Sequence, residues 1–251
     1  MNGIEHSGAS VPPMRKHLAI VLPVAAVLSF GLAYLFARID LIPHPASAER
    51  QSIDTMLRVL FAVAGAIFGM IVTVFGYTLA FFRRRAGDDS DSLPLHGFLP
   101  AEIAWTAIPL VIVVVISAYG GMVLNKMSRP AALPQTELEV DVQTFRFGWQ
   151  FSYPQYGGVA SSQLGLPVDR RVVFSFESRD VVHGFWVKEW GPKQDAVPGM
   201  VTELRITPQE IGRYQVQCSQ LCGFGHTYMI APASVMAAAD FETWVKSQKK
   251  P

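Results

Sequence analysis

The chain has 251 residues, half of them hydrophobic, which is more apolar than a soluble domain of this size requires. Its formal net charge is +1, with 21 Lys and Arg against 20 Asp and Glu, so the balance gives no indication of a nucleic-acid partner. The apolar residues are concentrated in the first half of the chain, and the only two cysteines lie near its C-terminus.

Three long apolar stretches lie in the first half of the sequence, at about residues 17–37, 56–82 and 103–124. Each reaches the ~20 residues that a helix needs to cross a bilayer core. One such stretch would fit a core helix of a soluble protein, but three in succession predict a membrane anchor over residues 17–125. Residues 1–16 precede it, and the polar segment 126–136, with two prolines, is expected to be a linker.

The distribution of basic residues predicts the orientation of this anchor. Arg15 and Lys16 precede the first stretch and Arg83–Arg85 follow the second, whereas the first loop carries two well-separated arginines. Because cytoplasmic loops are enriched in Lys and Arg, the N-terminus and the Arg83–Gly97 loop are expected in the cytoplasm. Everything after Leu124 is then periplasmic, and the protein is expected in a bacterial inner membrane.

The first stretch also has features of a signal peptide. Arg15 and Lys16 could form its basic region, and Ala46-Ser47-Ala48 could serve as a cleavage site. The apolar stretch is long for a signal peptide, however, and the candidate site lies well beyond its end. We therefore expect a retained helix, with cleavage as the alternative.

Glu102 lies at the cytoplasmic rim of the third apolar stretch. A carboxylate at a helix end is commonly there because its side chain reaches the aqueous interface. An ionisable group at the rim of a membrane span is nevertheless a functional candidate.

From Glu137 onward, short β-favouring runs alternate with Gly and Pro turns, which predicts an all-β sandwich or small Greek-key barrel over residues 137–251. Strands are expected at 138–153, 171–177, 183–187, 201–206, 212–217 and 233–236. A short helix over residues 240–249 closes the chain, with Asp240 as its predicted N-cap. The aromatic run from Phe145 to Tyr153 is expected to be a core strand, unless it has a separate function.

The segment Cys218–Met229 contains both cysteines, one histidine and one methionine, in the spacing C-x3-C-x3-H-x2-M. Thiolate, thioether and imidazole donors together favour copper. Two thiolates this close can each bridge two metal ions, so the donor set suits a dinuclear copper centre better than a single ion. A disulfide and a zinc site are the alternatives, although the methionine and the missing fourth strong ligand argue against zinc.

This segment resembles the CuA loop of subunit II of the haem-copper oxygen reductases. Three other segments resemble the same family: the run Val181-Val182-His183-Gly184-Phe185-Trp186, the K-x-D-A-x-P-G run at 193–199, and the H-G-x4-E-x2-W-T-x2-P run at 96–109. The resemblance implies a helical membrane anchor followed by a cupredoxin-like Greek-key β-sandwich. Many members have two spans, so the three predicted here are a departure from the family. The form of these motifs is closest to the B-type oxidases.

The resemblance also implies the roles of individual residues. The dinuclear copper (CuA) ligands would be His183, Cys218, Cys222, His226, Met229 and the backbone carbonyl of Gln220. Mitochondrial-type members often have Glu at the last position and use its carboxylate for magnesium, so Gln220 puts a magnesium site in doubt. Phe147 and Trp149 would take up electrons from the donor, and Glu102 would take up protons.

The function implied is that of subunit II of a terminal cytochrome c oxidase. Electrons from cytochrome c, or from a cupredoxin, would pass through the copper centre to the haem of subunit I, where O2 is reduced and protons are translocated. Further small subunits are expected in the complex. A nitric oxide reductase subunit and a membrane-tethered copper carrier are the alternatives, and the Glu102 segment argues against the carrier.

Overall fold

The computed structural model describes residues 14–39, 44–84, 87, 97–133 and 136–248. Some sequence-based expectations concern residues outside these ranges. They are the N-terminal tail up to residue 13, most of the Arg83–Gly97 loop, including His96, and Pro134 of the linker. The chain divides into two compact units. The first comprises residues 1–40 and 56–99, and the second comprises residues 41–55 and 100–251.

Among the described residues, three helices are long and apolar enough to cross a membrane: α1 (Met14–Ala37), α2 (Ala48–Phe81) and α3 (Leu99–Ser128). α2 begins eight residues before the expected apolar span, because its first turns are polar and bond to the β-domain. α3 continues through Ser128, so the first residues of the expected linker are helical. The expected helical anchor followed by a β-sandwich is confirmed.

The described part of the second unit contains ten strands in two five-stranded sheets. The first sheet has the order β3-β2-β1-β5-β8, and the second has the order β4-β10-β9-β6-β7. The strands are β1 (Leu138–Phe145), β2 (Gly148–Tyr153), β3 (Val159–Ser161), β4 (Leu164–Pro167), β5 (Val172–Ser178), β6 (His183–Trp186), β7 (Lys193–Ala196), β8 (Thr202–Ile206), β9 (Gly212–Cys218) and β10 (Ile230–Met236). The pairs β1–β5 and β4–β10 are parallel and the others antiparallel, which gives a cupredoxin-like sandwich.

The core of the sandwich forms where alternate residues of the two sheets face each other. β1 alternates buried and more accessible positions over its whole length, as a strand with one solvated face should. Phe174 and Phe176 of the first sheet contact Phe185 of the second, with ring centroids 5.3 and 5.1 Å apart. These contacts place a rigid aromatic layer beside His183, the neighbour of Phe185 on β6.

Several strand boundaries differ from the sequence-based prediction: β10 begins three residues before its expected start, and β3, β4 and β7 were not predicted. The predicted strand 138–153 is two strands, because the chain turns tightly at Arg146–Phe147 and β1 and β2 pair as a hairpin. The 193–199 run, expected as a turn, begins with β7, which pairs with β6. Both segments consequently lie next to the elements that carry candidate ligands.

The C-terminal helix α4 (Ala238–Ser247) begins earlier than predicted. Ala237 is its N-cap, and no side chain caps the first turn, so the prediction of Asp240 as the cap was wrong. Asp240 lies within the first turn instead, where a carboxylate still favours the positive end of the helix dipole. The buried side chains of Phe241 and Val245 hold α4 to the sandwich.

The start of α2 is fastened to the sandwich by buried polar groups within the second unit. Ser47 is fully buried, and its hydroxyl donates to the carbonyl oxygen of Trp190 at 2.7 Å. The guanidinium of Arg50 donates to the carbonyl oxygen of Lys188 at 2.7 Å. The carboxylate of Glu49 accepts from the backbone N–H of Thr207 at 2.8 Å.

The end of α3 is fastened to the same domain by an ionic cluster. The buried carboxylate of Glu137 lies 3.0 Å from Arg171 Nε and 3.4 Å from Arg205 Nε. Arg171 also donates to the carbonyl oxygens of Met127 and Arg129, each at 2.8 Å. A basic side chain thus satisfies carbonyl groups at a helix C-terminus, which would otherwise lack partners.

Candidate metal centre

The candidate centre is built on the loop that joins β9 to β10. These strands pair antiparallel, which places Cys218, the last residue of β9, beside Met229. The backbone N–H of Cys218 donates to the carbonyl oxygen of Met229 at 3.1 Å and closes the base of the loop. A single 3-10 turn over His226–Tyr228 then directs the chain back into β10.

This closure brings the sulfur and imidazole donors together. The sulfurs of Cys218 and Cys222 are 3.8 Å apart, and both cysteines are free and buried. Cys222 Sγ lies 3.7 Å from His226 Nδ1 and 3.8 Å from Met229 Sδ. A disulfide has an S–S distance near 2.05 Å, so the structure does not contain the disulfide that was the alternative for these cysteines.

His183 enters the cluster from the neighbouring strand β6. Its side chain is completely buried, and its ligand atom lies within 4.8 Å of those of Cys218 and Cys222. The pairing of Phe185 with Cys218 sets this position, and Ser219 N–H donates to the carbonyl oxygen of Gly184 at 2.8 Å. A Cβ at Gly184 would overlap the Ser219 hydroxyl, so glycine permits this close approach.

Asp180 orients His183 and was not identified from the sequence. His183 Nε2 lies 2.8 Å from Asp180 Oδ1, while Nδ1 is buried and has no hydrogen-bond partner among the residues that the structure describes. In a metal-binding histidine, one ring nitrogen usually hydrogen-bonds to a partner such as a carboxylate, and the other nitrogen binds the metal. An acidic residue three positions before a candidate histidine ligand was the available sequence signal.

The pKa values of Asp180 and Cys222 shift in opposite directions. Burial acts to raise the pKa of Asp180, but hydrogen bonds with His183 and with the N–H groups of Val181 and Arg146 lower it to about 2. Asp180 is therefore a carboxylate that can hold the His183 ring. Burial, followed by the hydrogen bond with Cys218, raises the pKa of Cys222 to about 11, so a metal that binds must displace its proton.

The residues present fit copper. The cluster supplies two thiol sulfurs, a thioether sulfur, and an imidazole nitrogen that is buried with no described partner. An uncompensated buried polar atom is costly, and a metal ion would relieve it. Soft sulfur donors combined with imidazole select copper over the harder cations.

The structure also brings Gln220 and both aromatic candidates to this loop. The carbonyl oxygen of Gln220 lies 3.1 Å from Cys218 Sγ. The ring of Phe147 lies against the loop at Gly225, where a Cβ would come within 2.5 Å of it. Trp149 is buried beneath, with its Nε1 3.4 Å from the carbonyl oxygen of Met229.

Glu102 is the predicted site residue that the structure does not bring to the centre. It lies in the first turn of α3, whereas the last turn of α3 contacts the β-domain through Arg171. The 26 residues between Glu102 and Ser128 correspond to roughly 40 Å of helix. Any role of Glu102 is therefore separate from metal binding.

Two family models match this chain, and a solved structure is similar to part of it. The family model described as "Cytochrome C oxidase subunit II, periplasmic domain" matches residues 159–237, and "Cytochrome C oxidase subunit II, transmembrane domain" matches residues 36–121. The crystal structure of the periplasmic domain of subunit II of cytochrome oxidase from Bradyrhizobium japonicum is similar to 46% of this chain. That similarity covers 95% of the domain, with a TM-score of 0.44 and 24% identity.

Two relatives extend over nearly the whole chain. Cytochrome c oxidase subunit 2 of Thermostichus vulcanus is 31% identical over 271 residues, which cover 88% of this chain and 81% of the relative. Cytochrome c oxidase subunit 2 of Synechocystis sp. is 29% identical over 270 residues, which cover 90% and 81%. The family resemblance of the loop motif is thereby confirmed, and the chain belongs to the cytochrome c oxidase subunit 2 family, as a subunit of an oxidase complex.

Proposed function

We propose that the chain relays single electrons through a dinuclear copper centre to the haem of a partner subunit I, for O2 reduction coupled to proton translocation. The observation that carries this proposal is the convergence of all six predicted ligand groups around the sulfurs of Cys218 and Cys222. Copper would supply one-electron redox chemistry there. No haem ligation or O2-reducing site is proposed within this chain, so the reaction is completed in the partner.

The ligands have distinct tasks in this proposal. Cys218 and Cys222 would both hold copper as thiolates, since their sulfurs lie 3.8 Å apart, which is too far for a bond to each other. His183 and His226 would each offer Nδ1, and Met229 and the Gln220 carbonyl would be the weaker ligands. All come from a loop closed by backbone hydrogen bonds and from a paired strand, which limits their movement when the charge of the site changes.

An exposed apolar surface beside the loop supports docking of the electron donor here. Phe224 is fully exposed, and three large apolar neighbours in or beside the loop are also exposed: Leu221, Tyr228 and Ile230. Phe147 lies close to both neighbours of Phe224, because a Cβ added at Gly225 or Gly223 would lie 2.5 or 3.5 Å from its ring, and it is itself 40% exposed. Because a contiguous exposed apolar patch marks an interaction site, we propose contact with the apolar surface of a cytochrome c or a cupredoxin.

Phe147 and Trp149 would then have different roles in electron uptake. Phe147 is exposed and can touch a docked donor. Trp149 is 4% exposed, so it would act from beneath, through its hydrogen bond to the Met229 carbonyl and its contact with Phe185. The near balance of basic and acidic residues after Leu124 predicts weak salt dependence of docking.

We further propose that the protein lies in a bacterial inner membrane with its N-terminus in the cytoplasm. The basic residues that flank the first two apolar stretches support this orientation. It places the start of α3, with Glu102, at the cytoplasmic side and the copper loop in the periplasm. Glu102 would therefore be positioned to collect protons.

The reaction of the partner distinguishes the main candidates. The native complex, purified through a tag on this chain, should contain haem and should consume O2 when a reduced cytochrome c or cupredoxin is supplied. Consumption of NO, with no O2 uptake, would indicate a nitric oxide reductase. Purification of the chain without any haem subunit would favour a copper carrier.

A further inference from the structure

α1 and α2 meet in the first unit along a stripe of small residues. Within residues 65–73 of α2 the buried positions recur every fourth residue, and half-buried positions recur at the same spacing on α1. The small members of these two series are Ala25, Ser29 and Ala33 on α1, and Gly65, Gly69 and Thr73 on α2. In a membrane, where apolar area gives no advantage to helix association, small residues at this spacing let two backbones approach closely.

The glycines of this stripe are in contact with the backbone of α1. A Cβ on Gly65 would lie 2.6 Å from the carbonyl oxygen of Leu32, and a Cβ on Gly69 would lie 2.8 Å from the Cα of Ser29. Backbone atoms of a helix cannot rotate away as a side chain can. Any larger residue at Gly65 or Gly69 would therefore have to push the two helices apart.

A second, independent contact fixes the other end of the same helix pair. His17 Nδ1 lies 2.6 Å from the Tyr77 hydroxyl. The His17 ring also contacts Phe82, with ring centroids 5.0 Å apart, and meets the Tyr77 ring edge-on. The hydrogen bond between His17 and Tyr77 forms only when α1 and α2 keep this register. α1 is therefore held to α2 at both ends.

The candidate cleavage site, Ala46-Ser47-Ala48, lies between α1 and α2 and is hydrogen-bonded within the second unit. The N–H of Ala46 donates to the carbonyl oxygen of Glu189 at 2.9 Å, and Ser47 is fully buried. Glu49 is only 4% exposed. Cleavage after Ala48 would remove the Ser47 bonds and would leave a charged α-amino group at a buried position, which is unfavourable.

We propose that α1 is a retained third membrane span of the mature subunit, fastened to α2 through Gly65 and Gly69. The match to the family's transmembrane domain begins at residue 36, so α1 lies outside it almost entirely. The proposal therefore adds an element to the family's membrane domain and does not depend on the electron-relay function.

The test uses the full chain purified in its complex. Its mass should include α1, and a mature chain that begins at or after Glu49 would overturn the proposal. A protease site is then inserted between Ile39 and His44 and cut in detergent. The α1 fragment should remain bound to the rest of the subunit during affinity purification, and its release would contradict the proposal.

Matched variants test the interface itself. The double variant Gly65→Leu and Gly69→Leu should lose most of the cut α1 fragment, whereas Gly76→Leu, on the same helix with open space around it, should retain it. Gly69→Ala, which adds only the Cβ, should give an intermediate loss. An unchanged copper spectrum would show that the second unit is intact in each variant, and full retention by the double variant would refute the role of the glycines.

Discussion

At the scale of single residues, the most informative contact is that between Asp180 and His183. Asp180 accepts at one ring nitrogen and leaves the other free for a metal, so removal of this acceptor should let the ring turn. We expect Asp180→Ala to weaken copper binding about 10–100-fold, the usual cost of losing such a partner. Asp180→Asn keeps an acceptor oxygen and should lose less.

Copper affinity measured by competition with a chelator checks this prediction. Asp240→Asn, which changes an exposed carboxylate on α4, is the control and should bind as the unmodified chain does. Equal affinity for Asp180→Ala and this control would show that Asp180 does not position the ligand.

Phe147 allows a second prediction at this scale. Because its ring covers the loop and remains partly exposed, Phe147→Ala should slow electron uptake from the donor and leave the copper spectrum unchanged. Phe147→Trp, which restores an aromatic ring, should recover most of the rate. Stopped-flow reduction of the copper centre separates these effects, and an unaltered rate in Phe147→Ala would exclude this route.

At the scale of structural elements, Glu137 holds the end of α3 to the sandwich. Glu137→Gln would leave the guanidinium groups of Arg171 and Arg205 without their shared carboxylate. Breaking a buried ion pair costs about 3–5 kcal/mol, but both arginines are partly exposed here, so we expect a loss on the order of 2 kcal/mol. Thermal unfolding should show a Tm lowered by several degrees.

The control for this variant lies two residues away. Glu139 is an exposed residue of β1, and Glu139→Gln should leave the Tm nearly unchanged. A Tm for Glu137→Gln equal to that of the control would mean that the cluster does not stabilise the domain.

The elements that could be predicted from the sequence are those marked by a pattern among neighbouring residues. Three apolar stretches and alternating strands such as β1 are visible in composition and period, and the ligand loop is visible in its spacing. The start of α2 was placed too late because the buried side chains of Glu49 and Arg50 are polar and find their partners about 140–160 residues away. Asp180 was missed although it lies only three residues before His183, because its role depends on the geometry of the turn between them.

At the scale of the whole molecule, Glu102 lies in the first turn of α3, whereas the last turn of α3 contacts the β-domain that carries the candidate copper loop. If Glu102 takes up protons, Glu102→Gln should slow turnover of the complex and leave the copper spectrum unchanged. O2 consumption measured beside the spectrum checks both parts. Normal turnover in Glu102→Gln would remove the proton-uptake role and leave the metal site unaffected.

The central claim, that two thiolates and two imidazoles hold a two-copper centre, is tested most directly by metal analysis and EPR of the purified chain. We predict two coppers per chain and a seven-line, mixed-valence spectrum that is lost in Cys218→Ser. One copper with a four-line spectrum, or a Cys218–Cys222 disulfide without copper, would contradict the account.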